Sequence, residues 1–260
     1  MFDERRHDID ALRSIALFLL IFYHLAVSFT SVAKWILFVP NNKPIDNIWS
    51  LLSIFNIWRI PLLFIIAGIA LRFSYQNRGV GKLFKERFKR LGIPYLFGVV
   101  TFVPLYIIIS AQFIYGDMSL EKNIGVLITS IFTGGHLWFL INILIYCLLL
   151  IPIIGFISNK KRGYKFVDSI LKIRGGVLLF SIPIILEGYL LDLTAYKEDI
   201  GYGNSYSEYY GTDHGLLLGF IWFLIGIVLT SQGDTFWEYN IKNINTHAPV
   251  SYTHLRAHET

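Results

Sequence analysis

The sequence predicts an all-α polytopic membrane bundle with its N-terminus in the cytoplasm, and three observations predict it. The 260-residue chain is 54% hydrophobic and 16% aromatic, with a mean hydropathy of +0.54, whereas soluble domains average about 45–50% apolar even with Gly counted. Its apolar residues gather into six runs, roughly 11–30, 51–71, 93–113, 137–157, 175–191 and 215–231, near the ~20 residues that cross a bilayer. Its Lys and Arg residues gather between those runs, fifteen on one side against four on the other. The richer side, from Arg5 and Arg6 through Arg72–Arg90 to Lys160–Arg174, is the cytoplasmic one. The net charge of +5 is therefore a matter of membrane topology, and no nucleic-acid partner is expected.

The first run follows "MFDERRHDID", which resembles the n-region of a signal peptide. Its apolar stretch continues through Leu25 without a small-x-small cleavage site, so it reads as a membrane helix. Arg13 and His24 lie eleven residues apart in it. At roughly 100° per residue, eleven steps return to within about 20° of the same face, with a rise of about 16 Å. The two groups share one stripe, too far apart to touch but close enough to line one cavity. An ionisable group inside a span marks function by default, because it is costly in lipid without a cavity or partner.

Arg59 lies about eight residues into the second run, too deep for a loop charge. It suits a ligand contact, or a buried ion pair with Asp46, Glu187 or Asp192. Between runs two and three, Arg87 and Arg90 are three apart. On a helix they share a face and can hold phosphate oxygens; as ordinary loop charges they would attract anionic lipid. "IGVLITSIF" at 124–132 is too short to span and reads as interfacial or re-entrant. His136 and Trp138 stand at the outer mouth of run four, the Trp as an interface anchor. The single Cys147, in "LIYCLLL", has no disulfide partner and reads as a small buried hydrophobe.

Run five is short and ends at Glu187 and Asp192. Asp213 and His214 open run six and read as a surface pair. The domain expected is 1–243. The stretch 244–260 is polar and non-periodic, holds His247, His254 and His258 without a ligand pattern, and resembles translated adapter read-through. It is expected to lie outside the fold, and no metal site is expected.

Four stretches in order, "DIDALRSIALFLLIFYHL", "WRIPLLFIIAGIAL", "ERFKRLGIPYL" and "GGHLWFLINILIY", resemble the motifs of the membrane acyltransferase 3 family. The last two are most similar to its glucans biosynthesis protein C-like branch. The resemblance covers roughly residues 8–157, with weaker similarity around "LLLGFIWFLIGIVL". It implies transfer of a non-aminoacyl group from cytoplasmic acyl-CoA to a hydroxyl of an extracytoplasmic acceptor, commonly a cell-envelope glycan. No bound cofactor is implied, and the setting is the cell membrane.

In that chemistry His24 is the base and Arg13 holds pantetheine or phosphate. Arg87 and Arg90 meet the donor phosphates, while Arg59, His136 and Trp138 serve the acceptor. Ala67 stands where the family usually has Ser before Gly68, and Ile69 where an aromatic is common. "WFLINILIY" carries no carboxylate, unlike the O-antigen-acetylating branch. The family commonly has about ten spans, so six suggest a chain truncated after Thr230. Two other readings suit the same pattern: a transporter or exporter, and an inactive family member with an envelope-assembly role.

Overall fold

In α1 (His7–Val27), Ile9, Ala16 and Tyr23 recur every seven residues, two helical turns, and form one buried stripe. Around the rest of the helix, Leu12, Ile15, Phe18, Phe22 and Leu25 are exposed, as suits a helix whose outer face is solvated by lipid. The computed structural model describes residues 7–36, 38–45, 47–76, 78–116, 119, 121–122, 124–125, 127–128, 135–157, 164–173, 176–193 and 213–231. The 244–260 tail with its three histidines, Arg5, Arg6, Asp46, Lys160–Arg162, Arg174, most of 124–132 and the acidic loop before run six lie outside the described residues, as do the side chains of Asp192 and Asp213.

α2 spans Ile48–Gln76, about 44 Å of helix. The start of α1 meets it at Ile66 and Ile69, and its end, through Tyr23 and Val27, meets it at Leu52. The two helices are therefore antiparallel. Pro61 lies inside α2, as membrane helices tolerate. The helix runs past the expected end at 71, so Arg72 is not a loop charge. It is buried, and its Nε donates to Ser231 Oγ at 3.3 Å.

The next span is a jointed rod. α3 (Val80–Arg87) passes through a π-helical turn, Phe88–Gly92, into α4 (Ile93–Val100) and α5 (Phe102–Tyr115). Pro94 and Pro104 each withhold an N–H from the carbonyl four residues earlier, and the π turn and the break at Thr101 fall in the residues just before them. Thr101 Oγ1 donates to the Phe97 carbonyl at 2.7 Å at that break.

α6 (Trp138–Leu150) follows a 3-10 turn at Gly135–Leu137. α7 (Tyr164–Lys172), α8 (Ile182–Leu193) and α9 (Asp213–Ser231) complete the longer helices among the described residues. α2 and α9 form the spine, at a separation only glycine permits. A Cβ on Gly68 would lie 2.1 Å from the Phe223 carbonyl oxygen, and one on Gly226 2.2 Å from that of Ile65. Small residues at a crossing allow this approach, which replaces the missing hydrophobic drive between helices in lipid.

Tyr146 from α6 closes the joint, donating to the Leu216 carbonyl at 2.8 Å. Around it Phe64, Phe223, Leu150 and Ile227 are buried together with Cys147. No strand occurs among the described residues. Four helical stretches among them are long and apolar enough to cross a membrane: Ile9–Val27, Trp58–Gln76, Val80–Tyr115 and His214–Ser231. Runs four and five appear as the shorter apolar helices Gly135–Leu150 and Leu178–Glu187. The protein is an all-α polytopic helix bundle.

Candidate functional site

His24 lies in the last turn of α1, where the carbonyl one turn back is within reach of its side chain. Its Nδ1–H donates to the Leu20 carbonyl at 2.8 Å. A carbonyl can only accept, so the proton is on Nδ1, and Nε2 is the nitrogen left to take a proton from elsewhere.

A second imidazole joins it. Gly135, at φ +48°, adopts the left-handed backbone that glycine supplies without strain, and this starts the turn carrying His136 toward α1. The His24 and His136 ring centroids are 6.0 Å apart. Phe38, from the loop after α1, stacks on His24 at 5.6 Å and lies 4.8 Å from His136. Tyr106 of α5 meets His136 edge to face at 4.5 Å. Four segments thus build one aromatic-walled histidine pair.

Arg59 is buried at 2% exposure beside this pair. Its guanidinium carbon sits 4.2 Å over the Tyr23 ring, and its Nη1 donates to the Leu19 carbonyl at 3.5 Å. A desolvated cation–π contact of this kind contributes about 2 kcal/mol. Glu187, one of the carboxylates proposed to neutralise Arg59, is committed elsewhere. It accepts from His214 Nδ1–H at 2.5 Å, with both groups largely buried. His214 is therefore not half of a surface pair: α8 and α9 pack together and enclose it.

Arg13 is half-buried on α1 and makes no hydrogen bond or ion pair among the described residues. It shares His24's stripe but stands apart from the histidine pair, as the ~16 Å rise requires. Arg87 and Arg90 turn to different partners. Arg87 Nη2 donates to the Ala70 carbonyl at 2.9 Å and to Ser74 Oγ, binding α3 to α2. Arg90 pairs with Glu86 at 2.9 Å and is 70% exposed, while Arg78 takes the other oxygen of Glu86 at 2.7 Å. The π turn between Arg87 and Arg90 alters the simple three-residue helical register. Trp138 packs inward toward Phe64, centroids 6.4 Å apart, rather than standing free as an interface anchor.

Sequence reasoning located both histidines and Arg59 but missed Tyr23, Phe38 and Tyr106. Tyr106 carried a signal, being the lone hydroxyl in "VPLYIII". Phe38 carried none in a chain this rich in aromatics.

The arrangement can hold a neutral base with a fixed tautomer, a second imidazole to orient a hydroxyl, and a buried cation beside both. No curated protein and no solved structure matches the chain. Residues 6–236 match the family model described as an acyltransferase domain, and with its apolar helices this makes the chain a membrane protein of the acyltransferase 3 family.

Proposed function

We propose that the chain moves an acyl group from cytoplasmic acyl-CoA to a hydroxyl of an extracytoplasmic cell-envelope carbohydrate. The observation that carries this reading is His24, its Nδ1 held on Leu20 and its ring 6.0 Å from that of His136. His24 Nε2 takes the acceptor proton as the hydroxyl oxygen attacks the thioester carbonyl. The carbon–sulfur bond then breaks, an ester forms, and the imidazolium returns its proton to the leaving thiolate, releasing CoA. Arg59, buried beside His24's own turn, suits the developing oxyanion. His136 orients the acceptor, with Trp138 behind it.

On the donor side, Arg13 faces the pantetheine or phosphate. Arg90, 70% exposed, is the residue proposed to meet CoA phosphates. Arg87 contributes through donors left over from α2, since a guanidinium carries five N–H groups. The "ERFKRLGIPYL" and "GGHLWFL" stretches support a position near the glucans biosynthesis protein C-like branch. The charge bias of the loops supports the cytoplasmic N-terminus. The reading is tested by incubating membranes containing the intact chain with radiolabelled acyl-CoA and isolated envelope glycan. Label in the glycan supports it. Label retained in acyl-CoA, with the chain correctly inserted, removes it.

A further inference from the structure

Beyond the histidine pair, the loop after α1 folds back on itself. Asn41 N–H donates to the Ser28 carbonyl at 2.8 Å, and Ile45 N–H to that of Phe29 at 2.7 Å. The fold borders a partly open cavity of about 370 Å³ against the end of α5, within the usual range for small-ligand sites. Pro40, Pro44 and Phe113 supply apolar wall; Lys34, Asn41 and Asn42 supply polar groups. Among the described residues Lys34 is the only charged one lining it, and it makes no hydrogen bond or ion pair with them. Asn41 Oδ1 accepts the Lys43 N–H at 3.1 Å, which leaves its amide hydrogens to donate.

An ammonium and two amides over proline and phenylalanine surface suit a ring with hydroxyl edges and apolar faces, and the ammonium favours an acidic one. The cavity starts at Thr30, six residues beyond His24. Neither His24 nor Phe38, which stacks on it, is among the lining residues. A base must stand about 3 Å from the proton it takes, so one sugar ring cannot fill the cavity and reach His24 together.

We propose that this cavity is an acceptor subsite for an acidic saccharide unit adjoining the unit that presents its hydroxyl to His24. The proposal rests on the acyl-transfer reading for its role, but not for its binding. The intact chain in phosphatidylcholine nanodiscs is titrated with a galacturonate tetrasaccharide and with neutral maltotetraose, followed by saturation-transfer NMR.

The acidic tetrasaccharide is expected to bind roughly fivefold tighter, as a charge-assisted bond exceeds a neutral one. Lys34→Gln should bring the two together and Asn42→Ala should weaken both. Lys82→Gln, on the far side of the bundle, should leave the preference intact, and His24→Ala should leave binding intact. Absence of saturable binding, or a preference that survives Lys34→Gln, overturns the subsite. Lys34-dependent binding in a chain that transfers no acyl group leaves the subsite standing and removes the acyl-transfer reading. His24-dependent transfer without saccharide binding does the reverse.

Discussion

His24 and His136, carried by α1 and by the turn before α6, bring their rings to 6.0 Å with Phe38 in contact with both. The first imidazole has one nitrogen committed to its own helix, so it can serve as a base but has little freedom to steer an acceptor. Its neighbour has that freedom. In the proposed reaction the pair would divide deprotonation from orientation between two residues.

His136→Ala should therefore raise the acceptor KM while leaving the acyl-CoA KM nearly unchanged. Loss of one hydrogen-bonding partner weakens binding by about 1 kcal/mol, roughly fivefold. Steady-state kinetics with each substrate varied in turn checks this. An equal rise in both KM values contradicts it.

The spine of the bundle makes a stability prediction. Gly68→Ala should force α2 and α9 apart, since the new methyl would meet backbone that cannot rotate away. Overpacking of this kind costs about 1–3 kcal/mol. Gly79→Ala, with nothing within 4 Å of the new Cβ, should be neutral. Thermal denaturation of both variants in detergent separates them.

Much of this was legible in the sequence because lipid imposes a length. Runs of about twenty apolar residues became helices at nearly their expected places. His24 and Arg59 stood out as polar groups the bilayer penalises, and His136 through the "GGHLWFL" stretch. Three things were not legible. Arg72 looked like a loop charge because hydropathy ends at Leu71, yet α2 continues by hydrogen bonding Arg72 to Ser231. His214 looked superficial because only tertiary packing brings Glu187 to it. Arg87's structural role was hidden, because α3 folds against α2 and one of its guanidinium nitrogens is used there.

That buried Glu187–His214 pair should resist separation. Glu187→Ala removes the carboxylate that accepts from His214, and losing one partner of a largely buried hydrogen bond costs about 1–3 kcal/mol. Replacing both partners, Glu187→Leu with His214→Phe, should recover most of the loss. Denaturation midpoints of the single and double variants in one detergent measure the difference.

Orientation is open to a chemical test. Cys147 is buried at 1% exposure, so an impermeant maleimide reads introduced cysteines alone. Lys82→Cys should label only from the inner side and Lys34→Cys only from the outer. Outside labelling at Lys82 would invert the topology and remove Arg90 from the donor.

The most direct measurement is acyl transfer by His24→Ala in membranes where its insertion has been confirmed. With the base removed, turnover should fall by about 10²- to 10⁴-fold, and Arg13→Lys should also fall if planar guanidinium geometry holds the donor. Wild-type turnover from His24→Ala would contradict the assignment of His24 as the base.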